Sequence, residues 1–172
     1  LLVDDLRKLV PSHVFFGGQL VARSGKLTVT LPQRSFPLEE KNAVCVRPLT
    51  TENFTLKAAS SRERACIRVL EYPDPIMPFT LQKTAQVALD AGAVKLETPD
   101  MKYVAVVNRY PGQDTIGLGV VRGFGLQTGA VASTVSHDCH NLTIVYDTPE
   151  NALLAANTLI RCGGGMCAVR DG

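Results

Sequence analysis

The sequence predicts an α+β fold, rich in sheet and poor in helix. Three observations carry that prediction. Short β-prone runs recur along most of the chain, separated by Gly, Pro, Asp and Asn turns. One segment alone, after Thr148, has both the caps and the spacing of an amphipathic helix. The run Tyr103 to Val107 is continuously apolar, as a central strand requires.

The first strands are Val14-Phe15-Phe16 and Gln19-Leu20-Val21-Ala22, joined by Gly17-Gly18, a hairpin signal. Ser24-Gly25-Lys26 is a second turn, and a further strand is expected over Leu27 to Leu31. Residues 32–42, with Pro32, Pro37, Glu39, Glu40, Lys41 and Asn42, read as a linker. Val44-Cys45-Val46 and Phe54-Thr55-Leu56 are short strand candidates. Ala65 to Tyr72 is another, ended by Pro73, Pro75 and Pro78. Thr80 to Leu89 fits helix or strand; the turn Asp90-Ala91-Gly92 before Val94-Lys95-Leu96 favours a hairpin. Ile116 to Val121, Ala130 to Val135 and Leu142 to Tyr146 are further strands. Thr148 caps the helix, Pro149 suits its first position and Glu150 its positive end. Ala152, Ala155, Ala156, Leu159 and Ile160 share one face. Gly163-Gly164-Gly165 stops the helix, and a strand begins at Met166.

Composition excludes several classes of function. Hydrophobic residues make up 45% and charged residues 20%, as in a globular protein. A net charge of +2 and 6% aromatics without Trp argue against a nucleic-acid surface. No apolar stretch reaches the roughly 20 residues of a membrane helix. No signal peptide is legible, since Leu1-Leu2-Val3 runs at once into Asp4-Asp5. Five cysteines without close pairing fit a reduced, cytoplasmic protein. The chain does not begin with Met and reads as a piece of a longer one.

Chemistry concentrates at Ser136-His137-Asp138-Cys139-His140-Asn141, which holds two of the three histidines. Such groups are costly to bury without partners, so packing does not call for them. If the segment is extended, His137, Cys139 and Asn141 face one way and Asp138 and His140 the other. A carboxylate orienting an imidazole for proton transfer then results. If it is a helical turn, His137 and His140 converge, giving a partial metal site that needs ligands from elsewhere. A polar turn bonded to backbone is the structural alternative. Cys139 could be a nucleophile beside an imidazole, although a small buried cysteine is the plainer reading. His13 stands alone, and Cys162 and Cys167 do not match a zinc-ribbon spacing. The series Gly117, Gly119, Gly123 and Gly123, Gly125, Gly129 are each one residue too long for a dinucleotide fingerprint. They read as tight turns and close backbone approach.

Gly123-Phe124-Gly125-Leu126, Gly129-Ala130 and the Ser136 to Asn141 run, continuing into Thr148 to Ile160 and the triple glycine, resemble the C-terminal domain of bacterial-type adenine deaminases. Residues 14–26 resemble the small β-sandwich that follows the barrel in amidohydrolases. The resemblance implies residues 1–31 as the end of that sandwich and 43–172 as most of the C-terminal domain, cut short at its end. It further implies hydrolysis of adenine to hypoxanthine and ammonia by an intact, homo-oligomeric enzyme with manganese or iron in a (β/α)8 barrel. The barrel's His-x-His motif is missing here, so residues 1–172 alone are expected to be inactive. Within that reading Asp138 orients, His137 and His140 transfer protons or ligate metal, and Asn141 supplies an amide. Three rivals stand beside it: a non-catalytic scaffold or oligomerisation domain, a stand-alone metal-binding module, and a different amidohydrolase such as one acting on a related purine.

Overall fold

A computed structural model describes residues 1–32, 43–60, 62–74, 76 and 79–170. The expected linker 32–42 falls outside them apart from Pro32, as do Pro75 and Pro78. The chain divides into two compact units, residues 1–40 and 41–172.

The first unit is a four-stranded antiparallel meander of β1 (Leu2–Val3), β2 (Pro11–Phe16), β3 (Gln19–Arg23) and β4 (Lys26–Leu27). Gly17 and Gly18 both take positive φ, 55° and 80°, as the tight hairpin between β2 and β3 requires. The strand expected over 27–31 stops after Leu27. Thr28 turns its N–H to Val21 and its hydroxyl to Leu20, and the backbone bends there. None of this unit's described residues is buried, so the small sheet has no core of its own.

The second unit holds an eight-stranded sheet and one α-helix. Its strands are β5 (Arg64–Glu71), β6 (Leu81–Asp90), β7 (Ala93–Lys95), β8 (Met101–Val107), β9 (Ile116–Arg122), β10 (Ala130–Ser133), β11 (Leu142–Tyr146) and β12 (Met166–Val169). Their order is β12-β10-β11-β8-β9-β5-β6-β7. Every neighbouring pair is antiparallel except β5 and β9, which run parallel. β8 lies inside the sheet, as its apolar run predicts, between β11 and β9. The 81–95 region is a hairpin of β6 and β7.

Residues 43–56 correct the expectation of two short strands. They run without strand pairing into a 3-10 turn, Thr51–Phe54, closed by Asn53 accepting from the Thr50 N–H. Phe54 is 1% exposed, and its carbonyl accepts from the Tyr146 hydroxyl at 2.7 Å. A buried anchor, not a ladder, holds this segment.

The helix α1 (Pro149–Cys162) forms as its caps dictate. The Thr148 hydroxyl accepts from the Asn151 N–H at 3.3 Å. Gly163 ends the helix in the left-handed region, φ 74°. Ala152, Ala155, Ala156 and Leu159 are buried against β10, β11 and β12. The facing sheet residues are Ala105, Val107, Ala130, Ala132, Leu142, Ile144 and Tyr146. Small alanines let the helix lie close to the sheet. Gly129 serves close approach: a Cβ there would collide with the Val169 carbonyl oxygen.

Candidate functional site

Sheet register builds the site. Val107, the last residue of β8, pairs with Leu142, the first of β11. The loop leaving β8 and the loop entering β11 therefore meet at one end of the sheet. The second loop carries Ser136 to Asn141.

That loop is one closed turn. The His140 N–H donates to the Ser136 carbonyl at 2.6 Å, an i to i+4 bond. His140 closes the turn in the left-handed region, φ 50°, sparsely populated by residues with a Cβ. The Ser136 and Thr143 hydroxyls bond across the turn's base. Of the two geometries open to the sequence, the turn is the one the backbone takes.

The side chains point outward. His137 Nδ1 lies 3.2 Å from Asp138 Oδ1, and the two side chains are 98% and 99% exposed. A pair so exposed contributes little to stability. Cys139 is a free, exposed thiol, which corrects the reading of it as a buried packing residue. His140 is exposed as well, and Asn141 is half-buried. The Asn141 Oδ1 accepts from the Arg109 backbone N–H at 3.4 Å. The Tyr110 hydroxyl donates to the Cys139 carbonyl at 3.1 Å. The Arg109 carbonyl in turn accepts from the Cys45 N–H at 2.9 Å. The turn is thus tied at its base, and its imidazoles and carboxylate are held out to solvent. Of the sequence-predicted residues only His137 and Asp138 touch through their side chains; Asn141 bonds to Arg109, and His140 takes part through its backbone N–H. His13 belongs to the other unit.

Among the described residues no three His, Cys, Asp or Glu side chains gather closely enough to hold a metal ion. His137 and His140 could give two ligands at most. The arrangement suits proton transfer to a partner surface better than a self-contained metal centre.

A cleft of about 660 Å³ opens at the opposite end of β8, lined by Phe54, Leu56, Leu96, Lys102, Tyr103 and Asp147. Its polar tips are already engaged. The Tyr103 hydroxyl donates to the Val94 carbonyl, and burial pushes its phenol upward in pKa. Lys102 Nζ donates to the carbonyls of Pro99 and Met101. Burial pushes the Asp147 carboxyl up, but hydrogen bonds from Asn151 and the Gly129 N–H outweigh it and hold it below the usual range. Those bonds brace the start of α1.

Arg109 and Tyr110 escaped the sequence analysis. They follow the apolar run of β8 and lie about thirty residues from Asn141 in sequence. Only the β8–β11 register brings them to the turn.

Residues 78–172 match the family model described as the adenine deaminase C-terminal domain. The chain is 42% identical to the adenine deaminase of Moorella thermoacetica, covering 100% of the chain and 29% of that protein. It is 36% identical to adenine deaminase 1 of Carboxydothermus hydrogenoformans, covering 100% of the chain and 28% of the relative. It is 34% identical to an adenine deaminase of Clostridium botulinum, covering 100% and 29%. The chain therefore spans less than a third of the length of these curated relatives.

Proposed function

This chain belongs to the adenine deaminase C-terminal domain family, and from that membership we propose that it is the C-terminal portion of an enzyme that hydrolyses adenine to hypoxanthine and ammonia. The observation that carries the reading is similarity along its entire length to proteins named adenine deaminase. In the reaction water adds at the purine carbon bearing the amino group, and the amino nitrogen leaves as ammonia. Protons must move from the water to the leaving nitrogen, a task for groups that titrate near neutrality.

In this reading the turn 136–141 meets the rest of the enzyme at its active site. Asp138, 3.2 Å from His137 Nδ1, fixes the imidazole's orientation. His137 and His140 hold and pass protons, and Asn141, braced on Arg109, positions an amide. The manganese or iron that the resemblance implies does not fit this chain's described donors, which nowhere number three. Residues 1–172 by themselves would then not deaminate adenine.

His137→Ala and His140→Ala in the full-length protein test the reading. Loss of a proton-transfer group lowers kcat/KM by roughly a hundredfold or more. Stability should stay within about 0.5 kcal/mol of the parent, as for exposed substitutions. If both variants keep kcat/KM within about threefold, the turn has no catalytic part and a scaffold role takes its place.

A further inference from the structure

The two ends of the eight-stranded sheet are finished differently. At the β7 end, residues 56–58 cover the edge. The Val94 N–H donates to the Leu56 carbonyl and the Ala58 N–H to the Gly92 carbonyl, both at 2.9 Å, and Lys57 bridges to Ala93. At the other end β12 pairs with β10 alone, and no described residue pairs with its outer side. The strand reads Met166-Cys167-Ala168-Val169, without a charged residue, proline or bulge to discourage pairing. Met166 is 77% exposed, and Ala168 is exposed as well. An edge of this kind is a template for a further strand.

Register shows which main-chain groups that edge offers. The Thr134 N–H donates to the Gly165 carbonyl at 2.9 Å. Bonded positions alternate along an antiparallel pair, so Cys167 and Val169 turn their N–H and carbonyl groups to β10. Met166 and Ala168 turn theirs outward. The side chains of Cys167 and Val169 pack against the helix–sheet core. The helix α1 lies over β10, β11 and β12, so helix and core reach the last strand while the sheet stops there.

The residues after β12 select the strand that fits. They read Arg170-Asp171-Gly172, and Asp-Gly is the pair that a two-residue type I′ hairpin loop calls for. Parity agrees. Such a loop is closed by a residue whose main-chain groups face the returning strand, and Arg170 falls two positions after Ala168, in the outward set. This chain covers 29% and 28% of two adenine deaminases, so proteins of that length have polypeptide to spare for another strand. We propose that β12 is the first arm of a hairpin, and that in the full-length protein the segment following Gly172 returns antiparallel along its outer edge as a further strand of the sheet. The second and fourth residues after Gly172 then stand opposite Val169 and Cys167 and extend the core under α1. The inference does not depend on a catalytic part for the 136–141 turn.

Residue-resolved hydrogen exchange on the full-length protein tests this. The Met166 and Ala168 amides should exchange at least about tenfold more slowly than unstructured chain, as amides bonded in a ladder do. Faster exchange there, beside protected Cys167 and Val169 amides, means an open edge and overturns the proposal. Protection that disappears on dilution assigns the edge to a second copy and overturns it too. Gly172→Val identifies the strand, because a β-branched residue resists the positive φ of a type I′ loop. In that variant protection at Met166 and Ala168 should fall about tenfold or more, while Cys167 and Val169 stay within about threefold of the parent. Unchanged protection at Met166 and Ala168 would bring the strand from elsewhere in the protein, which also overturns the proposal. Should the variant fail to fold, the coding sequence after Gly172 decides. Apolar residues at the second and fourth places support the hairpin, and a charged residue at either overturns it.

Discussion

The helix layer and the 136–141 turn lie within one unit and obey opposite rules. Between α1 and the sheet the large side chains form one buried cluster. Tyr146 is fully buried, stacks on Tyr103 at 5.5 Å between ring centroids, and lends its hydroxyl to Phe54. At the turn the backbone is tied down, but the side chains that could do chemistry touch almost nothing. Stability explains the first region residue by residue. It does not explain the second, where an imidazole occupies a left-handed backbone position and a carboxylate and a second imidazole stand in solvent. Residues held in place without stabilising the fold are the ones to connect with function.

Three substitutions test that contrast, beginning with the strongest. Leu159→Ala removes a side chain 2% exposed in the helix–sheet layer and should cost about 3 kcal/mol, through lost burial and the cavity left behind. Chemical denaturation of the chain measures it; a cost below about 1 kcal/mol would show that the layer collapses around the gap. Asp147→Asn lies between the two regions in effect. The carboxyl is held below its ordinary value of 3.8, so its stabilising contribution is present above that pH and is lost as pH falls through the lower folded value. At neutral pH the variant should lose about 0.5–1 kcal/mol, kept small by solvent screening. The difference from the parent should vanish in strong acid, and a difference constant with pH would assign the loss to packing. His140→Gly should reverse the sign. Glycine accepts φ 50° freely, so stability should hold or rise by up to about 1 kcal/mol while activity of the full-length enzyme falls. Clear destabilisation would make His140 a structural residue after all.

Sequence reading reached the parts of this molecule that are governed locally. The α1 caps, Thr148 and Gly163, act where they were expected, because capping is decided by neighbouring residues. The hairpins at Gly17-Gly18 and Ala91-Gly92 follow from turn chemistry. The turn at Ser136 to Asn141 was conspicuous because its residue types fit no packing role. Illegible features depended on distant partners. Phe54 reads as part of a strand, yet it anchors a 3-10 turn because Tyr146, far along the chain, waits for its carbonyl. The parallel pairing of Leu70 with Val121 leaves no local trace. Arg109 looks like one more surface cation until the sheet sets it beside Asn141.

The seating of the turn on two separated loops has a kinetic side. The β8–β9 hairpin closes over a short connection, and its partners find each other early. The ties from Arg109 and Tyr110 to Asn141 and Cys139 require β11 to dock on the far edge of β8, across a much longer stretch of chain. A molecule with its hairpins formed and β11 undocked would have ordered strands in plenty, and no site. By contact order the β8–β9 hairpin is expected to form before this corner, and amide protection at the turn during refolding should report the arrival of β11.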